Sequence, residues 1–499
     1  MIPRCSEAGT TSVSGTAFTG AVVDPDPLYN ALVYIPNVPA GTKLPPFADG
    51  PTCGACTPLT TDTAIASAVT GPDGTFTLQN VPAGAGIPLI VQLGRWRRQI
   101  TIDVAACTDN ALPRGTVRLP RNQAEGDIPL TAVSTGDVDA LECLLRKIGI
   151  DDAEFTNPSG TGRIHVYQSN GARIDAATPQ EAILTGATAG RGTWSRYDQV
   201  ILPCVGSETP KSSAALGNFL DYLNGGGRVF ATHFSYVWLF QNGPLASTGA
   251  WQPQQAHPMD PLIATIDTST SKGMAFAQWL RIVGALSNPA PPQIQIRQPR
   301  RDLNTVNSAS GAERWIYSDP AVAPTPAGTP ATVQHYTVDT PVGAAPGAHC
   351  GRVIFSDFHV LDSHAKDVPF PTECEMGPLT AQEKILEFML FDLASCLGPS
   401  LPPPPPPPPP PRRLPRPLVV LRTASVRTCR QMGAAWGVSA GSRHSASDHA
   451  RIQSVWRRAR SSTPLPTKVE FAMVRARQVA TSCSLAPLRV LRSRVRLTR

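Results

Sequence analysis

The hydrophobic period of this chain changes once, near residue 136, and that change limits what it can fold into. Residues 12–120 carry no helical period. SVSGTAF, ALVYIP, AIASAVT, GTFTLQNVP, IPLIVQLG and RRQITIDVA are short apolar or alternating runs separated by turn formers, the pattern of strands. The tetrapeptide Gly71-Pro72-Asp73-Gly74 is a strong turn signal and predicts a hairpin joining 64–70 to 75–78. A strand-rich unit of this size suggests a small β-sandwich. Residues 1–11 read as a disordered lead and 121–135 as a linker.

From residue 136 strands alternate with helices. DVDALECLLRKI (137–148) places Val138, Leu141, Leu144, Leu145 and Ile148 on one helical face, with Gly149 as its C′ residue. Strands follow at 163–167 and 197–203, a helix at 212–223, a strand at 228–232, a buried strand at 350–360, and a helix at 380–393. Thr380 and Glu383 form a capping box for the last helix. This order implies βαβ units and a parallel sheet. Residues 136–397 therefore read as an α/β domain. The Pro-rich stretch 240–350, with short strands such as ATVQHYTV, reads as an insertion around the sheet edge.

Composition adds three constraints. No run of about 18 apolar residues exists, so no transmembrane helix is expected. MIPRCSEAGTTS has no apolar signal-peptide core, so either the chain is cytoplasmic or its true start lies upstream. The net charge of +7 conceals two halves. Residues 412–499 hold 18 Arg and one Lys against Asp448 and Glu470, a net of +17, which leaves −10 for the rest. An acidic body argues against nucleic acid as the partner of the folded part.

Pro402–Pro411 is an unbroken polyproline run, extended and stiff; 398–411 reads as a linker. The Arg-rich, nearly Lys-free tail beyond it has no sustained period and is expected to be disordered. Such an Arg:Lys ratio is what GC-rich DNA gives out of frame, and a proline-codon repeat is a slippage point, so 412–499 reads as a frameshifted or degraded tail. A basic tail for nucleic acid or anionic surfaces is the alternative.

Two resemblances follow. "SGTAF…DPLYNALVYIP…TGPDGTFTLQNVPAG…IPLIVQLGRWRRQITI" resembles the carboxypeptidase regulatory-like, transthyretin-like domain. That resemblance implies a β-sandwich accessory module, often on secreted proteins, related to carbohydrate-binding folds and not itself a peptidase. "YDQVILPCVG…LGNFLDYLNGGGRVFATH" with the later "GRVIFSDFHVLDS" resembles the ThuA-like and class I glutamine amidotransferase-like domains. It implies a flavodoxin-like, amidotransferase-like α/β fold. The whole architecture is similar to predicted-secreted myxobacterial proteins named for their carboxypeptidase regulatory-like domain.

Parallel sheets carry their sites at the carboxyl ends of strands. Three such ends bear polar residues: Cys204 after VILP, His233 after VFAT, and Asp357 to His359 after VIFS. In the amidotransferases the elbow delivers a cysteine nucleophile and a late strand the histidine that activates it. Here the resemblance aligns His233 with the elbow and His359 with the late histidine, so glutamine hydrolysis is not expected. Cys204 could serve as the nucleophile with His359 as base; a buried or disulfide-bonded cysteine is the ordinary alternative.

His233, His359, Asp357, Asp362 and His364 could instead hold a divalent metal, although no HExxH-type spacing supports it. Purely structural histidines are the third reading. Ser235 and Glu208 could line the same crevice. Trp238, Trp251 and Trp279 could stack on a sugar or belong to the core. Trp96, set among Arg95, Arg97 and Arg98, could form a ligand contact or a packed strand end.

Eleven cysteines, several in Gly/Pro-rich loops, suit disulfides and an oxidising compartment. Cys53-x-x-Cys56 alone is a weak zinc motif. The leading expectation is an extracellular or cell-envelope binding protein for carbohydrate or cell-surface components, needing no cofactor by motif. The alternative is a hydrolase or sugar-active enzyme using the His233/His359 crevice, with a divalent metal as its candidate cofactor.

Overall fold

The computed structural model describes residues 5, 10–39, 41–53, 63–186, 192–321, 328–345, 347–359, 366–395 and 397. Cys56, Asp362, His364, the polyproline run and the basic tail lie outside the described residues, as does most of 1–11. The described chain is β-rich, with several sheets and a smaller set of helices. Among the described residues no helix is long and apolar enough to cross a membrane.

The N-terminal part holds two small sheets. One has the order Thr75–Gln79, Ser12–Phe18, Asp109–Ala111, with Val117–Arg118 also pairing with Ser12–Phe18. The other runs Ala64–Val69, Leu32–Pro36, Gly84–Leu93, Trp96–Val104, Gly126–Asp127. Val13, Phe76, Leu78, Val33, Leu89, Val91 and Val104 face inward and meet in one cluster.

The expected hairpin is corrected. Ala64–Val69 pairs with Leu32–Pro36, whereas Thr75–Gln79 pairs with Ser12–Phe18. The Gly71–Gly74 turn closes on itself, Gly74 N donating to Gly71 O at 2.9 Å. Its flanks are drawn to different partners. Thr70 N donates to Ala31 O, Thr70 Oγ1 donates to Leu28 O, and Ala17 N donates to Gly74 O. The turn thus carries the chain from one sheet to the other.

Among the described residues the main sheet has eleven strands. Its parallel part has the spatial order Phe155–Thr156, Ile164–Gln168, Thr131–Thr135, Gln199–Leu202, Arg228–Thr232, Gly351–Ser356. Leaving aside the two-residue edge, these five strands have the order 2-1-3-4-5 in chain sequence. Two sequence expectations change here. The stretch 121–135 is not a linker, because Thr131–Thr135 lies between two strands, every residue buried. TAVST lacks an apolar run, yet its hydroxyls are satisfied inside: Thr135 Oγ1 donates to Ala172 O at 2.6 Å and Ser134 Oγ to Glu181 at 2.8 Å. Satisfied polar groups can be buried at little cost. The stretch 240–350, expected as an insertion around the sheet edge, extends that edge as sheet. It supplies Thr332–Thr340, Ala312–Ser318, Leu262–Ile266 and Pro292–Ile296, which continue the sheet antiparallel from Gly351–Ser356.

The first helix is Leu141–Lys147, shorter than the period predicted. Residues 136–140 form a loop above the end of Thr131–Thr135. The last helix, Ala381–Ala394, carries the full capping box of Thr380 and Glu383. It packs against the N-terminal part: Phe388 stacks on Tyr29 at 5.7 Å and Phe391 meets Trp96 edge-on at 6.1 Å. Trp279 donates its Nε1 proton to Pro27 O at 2.7 Å. Both parts of the chain contribute to one hydrophobic cluster.

Three disulfides occur among the described residues: Cys5–Cys107, Cys53–Cys350 and Cys143–Cys374. The second ties the N-terminal part to the start of the Gly351–Ser356 strand. Cys204 is free and buried.

Two predictions follow from packing. Gly94 has φ +56°, and a Cβ there would collide with the Ala394 carbonyl. Gly94→Ala should cost roughly 1–3 kcal/mol by overpacking, read as a lowered denaturant midpoint with unchanged slope. Glu142 is fully buried, and neither carboxyl oxygen has a hydrogen-bond partner. Burial pushes it from 4.5 up to about 8, with the Glu373 and Asp139 carboxylates adding to the effect. The folded state therefore holds this proton more tightly than the unfolded chain. Its contribution to stability is complete below the unfolded value and is lost as pH rises through about 8, at a limiting slope of about 1.4 kcal/mol per pH unit. Glu142→Gln should flatten the fall in unfolding free energy between these two pH values and be the more stable protein above the upper one.

Candidate functional site

Four strand ends of the parallel sheet converge on one buried cluster. Asp139 follows Thr131–Thr135, Cys204 follows Gln199–Leu202, His233 follows Arg228–Thr232, and Asp357 and His359 follow Gly351–Ser356. Between the first two the chain order reverses direction across the sheet, the place where open α/β sheets leave a crevice. Asp139, Cys204, His233, Asp357 and His359 are all buried.

His233 sits at the turn out of its strand with φ +33°. A non-glycine residue in this region costs of order 1–3 kcal/mol and persists only where its surroundings fix it. The following turn His233–Tyr236 and helix Val237–Phe240 carry the chain away sharply. Gln254 (φ +61°) and Gln298 (φ +50°) share this unusual backbone. Both hold site residues: Gln254 N donates to Asp302 Oδ1 at 2.6 Å, and His359 N donates to Gln298 O at 3.3 Å.

Asp139 organises the cluster. Its Oδ2 accepts from Thr232 Oγ1 at 2.6 Å, and its Oδ1 lies 3.1 Å from His359 Nδ1. Thr232 Oγ1 in turn accepts from Cys204 N at 2.9 Å. Arg300 Nε donates to His359 Nε2 at 3.1 Å. An imidazole that accepts at Nε2 carries its proton on Nδ1, which matches the bond to Asp139.

His233 lies beside His359, their rings perpendicular with centroids 4.6 Å apart. Its Nδ1 is 3.3 Å from Cys204 Sγ, and its Nε2 is 3.5 Å from Asp302 Oδ2. Burial disfavours the His233 imidazolium strongly, and the neighbouring His359 and Arg300 add to this, so the ring is neutral. Burial, then the Asp139 charge, pushes the Cys204 thiol up to about 12. Cys204 is thus a thiol that can donate to His233 Nδ1, and His233 Nε2–H faces Asp302. A neutral thiol beside a neutral imidazole is not the thiolate nucleophile of a cysteine hydrolase.

Asp357 stands behind the histidines. Its Oδ2 accepts from Asp302 N at 2.8 Å, and its carbonyl accepts from Arg300 N at 2.8 Å. It fixes the segment that presents Arg300 and Asp302. Burial, then the adjacent Asp302 carboxylate, pushes Asp357 well above the usual carboxylate range, and burial raises Asp302 as well. The pair behaves as a carboxyl and a carboxylate.

A polar rim completes the site. Glu208 Oε2 accepts from Tyr236 OH at 2.8 Å and from Gln254 Nε2 at 2.5 Å. A cleft of about 390 Å³, bordered by Ser287, Gln295, Arg297, Gln298 and Gln382, reaches His359.

Several residues singled out from sequence stand elsewhere or do other work. Ser235 donates its hydroxyl proton to Pro203 O at 2.9 Å and secures the elbow. Trp238 is core, 5.3 Å from Phe219 and 5.6 Å from Trp194 by ring centroid. Trp96 is buried against Phe391, Trp279 is buried, and Trp251 packs on Phe355 at 5.4 Å. Of the arginines around Trp96, Arg95 pairs with Asp198 at 2.5 Å and Arg97 with Asp127 at 2.7 Å. The burial of Trp96, Trp238 and Trp279 leaves them no free ring face of the kind that sugar stacking needs, whereas Trp251 is half-buried. Asp139, Arg300 and Asp302 were not anticipated. Asp139 follows a strand just as Cys204 and His233 do, but the hydroxyl-rich sequence of that strand reads as linker.

No family model and no curated protein matches the chain. Among solved structures, a type II cohesin-X-dockerin complex from Acetivibrio cellulolyticus is 18% identical over 26% of this chain and 79% of that one, with a TM-score of 0.15. A cytoplasmic protein from Salmonella typhimurium is 10% identical over 46% of this chain and 87% of that one, with a TM-score of 0.24. Similarity at these scores carries no argument about this chain.

Proposed function

We infer that this chain is a secreted or cell-envelope hydrolase, with a ThuA/amidotransferase-like α/β domain and a transthyretin-like β-sandwich as its accessory part. The observation that carries the activity is the buried Asp139–His359 pair, with His233 held beside it on a strained turn. Asp139 orients the His359 ring and stabilises the imidazolium that would form on proton transfer. Once the Arg300 guanidinium moves off it towards the substrate, His359 Nε2 acts as the base towards water. Arg300, now bonded to that nitrogen, is placed to meet the negative charge that develops on the attacked group.

The 2-1-3-4-5 strand order supports the α/β assignment, since flavodoxin-like sheets share it and carry ligands at the same reversal. The three disulfides support an oxidising compartment. A carbohydrate-binding role for the β-sandwich receives less support, because Trp96 is packed inside.

Purified full-length protein should hydrolyse at least one member of a panel of chromogenic esters, amides, glycosides and phosphates. His359→Gln and Asp139→Asn should each lower its kcat by about 10²–10⁴-fold, with near-ultraviolet circular dichroism showing that the fold is retained. Turnover of no panel member, or equal rates in the folded variants, rejects the reading.

A further inference from the structure

We propose that Cys204, His233 and His359 form a binding site for a divalent zinc-class ion. Each of the three offers one ligand atom, and these atoms all lie within 4.8 Å of one another in a buried position. Zinc bonds of about 2.3 Å to sulfur and 2.0–2.1 Å to nitrogen put tetrahedral S and N ligands roughly 3.5 Å apart. Cys204 Sγ and His233 Nδ1 are already 3.3 Å apart. The proposal rests on the hydrolytic reading only for the ion's role.

Three features favour an ion over mere packing. Each ligand comes from a different strand end of one rigid sheet, so the trio needs no loop to assemble. Each histidine is backed by a carboxylate: Asp302 faces His233 Nε2 and Asp139 faces His359 Nδ1. Ligating histidines almost always have such partners, which fix the ring and raise its basicity. The positive φ at His233 is the backbone cost of aiming its ring at Cys204 and His359. One sulfur and two imidazoles suit zinc, and three protein ligands leave the fourth position to water, as catalytic zinc sites do.

Arg300 bears directly on the fit. Its Nε holds His359 Nε2, and a guanidinium and a dication repel each other. Of the two groups on His359, it is therefore Arg300 that yields, leaving Asp139 in place and Nε2 as the ligand atom. Arg300 is only partly buried, so its head can swing outward. Binding then replaces the thiol proton of Cys204 by the ion and releases one proton to solvent. With the ion bound, His359 Nε2 is a ligand and no longer a base, so the ion's polarised water would take over the role that the metal-free reading gives to that nitrogen.

The test uses the full chain, stripped with chelator, reloaded with zinc and dialysed. Elemental analysis should find about one ion per chain. Cobalt substitution should give the intense bands of tetrahedral coordination with a thiolate charge-transfer band. Cys204→Ser should abolish that band. His233→Gln and His359→Gln should each weaken zinc binding by at least about tenfold in a chelator competition. Arg300→Ala should tighten it, because the competing cation is gone. Near-ultraviolet circular dichroism identifies any variant that fails to fold. Absence of bound metal in the reloaded protein, or a cobalt spectrum unchanged in folded Cys204→Ser, overturns the site. Zinc held at Cys204 without hydrolysis of any panel substrate rejects the hydrolytic reading and keeps the site. Hydrolysis that is lost in His359→Gln, by a protein that retains no zinc on reloading, keeps the hydrolytic reading and rejects the site.

Discussion

One buried carboxylate joins the parts of this site. Asp139 has no access to water, so its charge must be met inside the protein. It is met by the Thr232 hydroxyl and the His359 ring, from two other strand ends. Through Thr232 it also fixes the amide of Cys204. Four chain segments far apart in sequence are thereby held in register. Removing the carboxylate would strand a hydroxyl and leave an imidazole proton without an acceptor, which costs more than the bonds themselves contribute.

A second layer repeats the device. Asp357 anchors the backbone of Arg300 and Asp302 from behind. Asp302 then faces His233 while Arg300 faces His359. Each imidazole is thus given one acid or base partner by a segment that itself hangs from the sheet. The antiparallel strands contributed by 240–350 widen that sheet, and the segment bearing Arg300 and Asp302 comes from the same stretch. What looks like an insertion in the sequence supplies Arg300 and Asp302, the partners of the two histidines.

Legibility followed the physics of each element. The strands at 199–202 and 228–232 and the last helix are regular, apolar and capped, so they could be read directly. The polar exits at Cys204, His233 and His359 were legible for the same reason, since each ends a recognisable strand. Thr131–Thr135 was hidden because its small hydroxyl residues are buried by hydrogen bonding and not by apolarity. Missing that strand concealed Asp139 as well. Arg300 and Asp302 lie on a loop whose approach to His359 depends on antiparallel pairing hundreds of residues from the first strands, which no local pattern encodes. The tryptophans failed in the other direction. A buried Trp and a ligand-stacking Trp have the same local sequence, and only the tertiary packing of Trp96 and Trp238 separates them.

The last helix has a consequence for how this chain can be divided. Its Phe388 and Phe391 are sandwiched between the main sheet and the rings of Tyr29 and Trp96. A cut near residue 120 would follow the change of sequence period, yet it would lay bare those aromatics, together with Trp279. It would also leave Cys350 without Cys53. The boundary written in the sequence is therefore not a seam in the material. The N-terminal sheets behave as a wall of the same building, and recombination or grafting that treats them as a portable attachment would carry away part of the core.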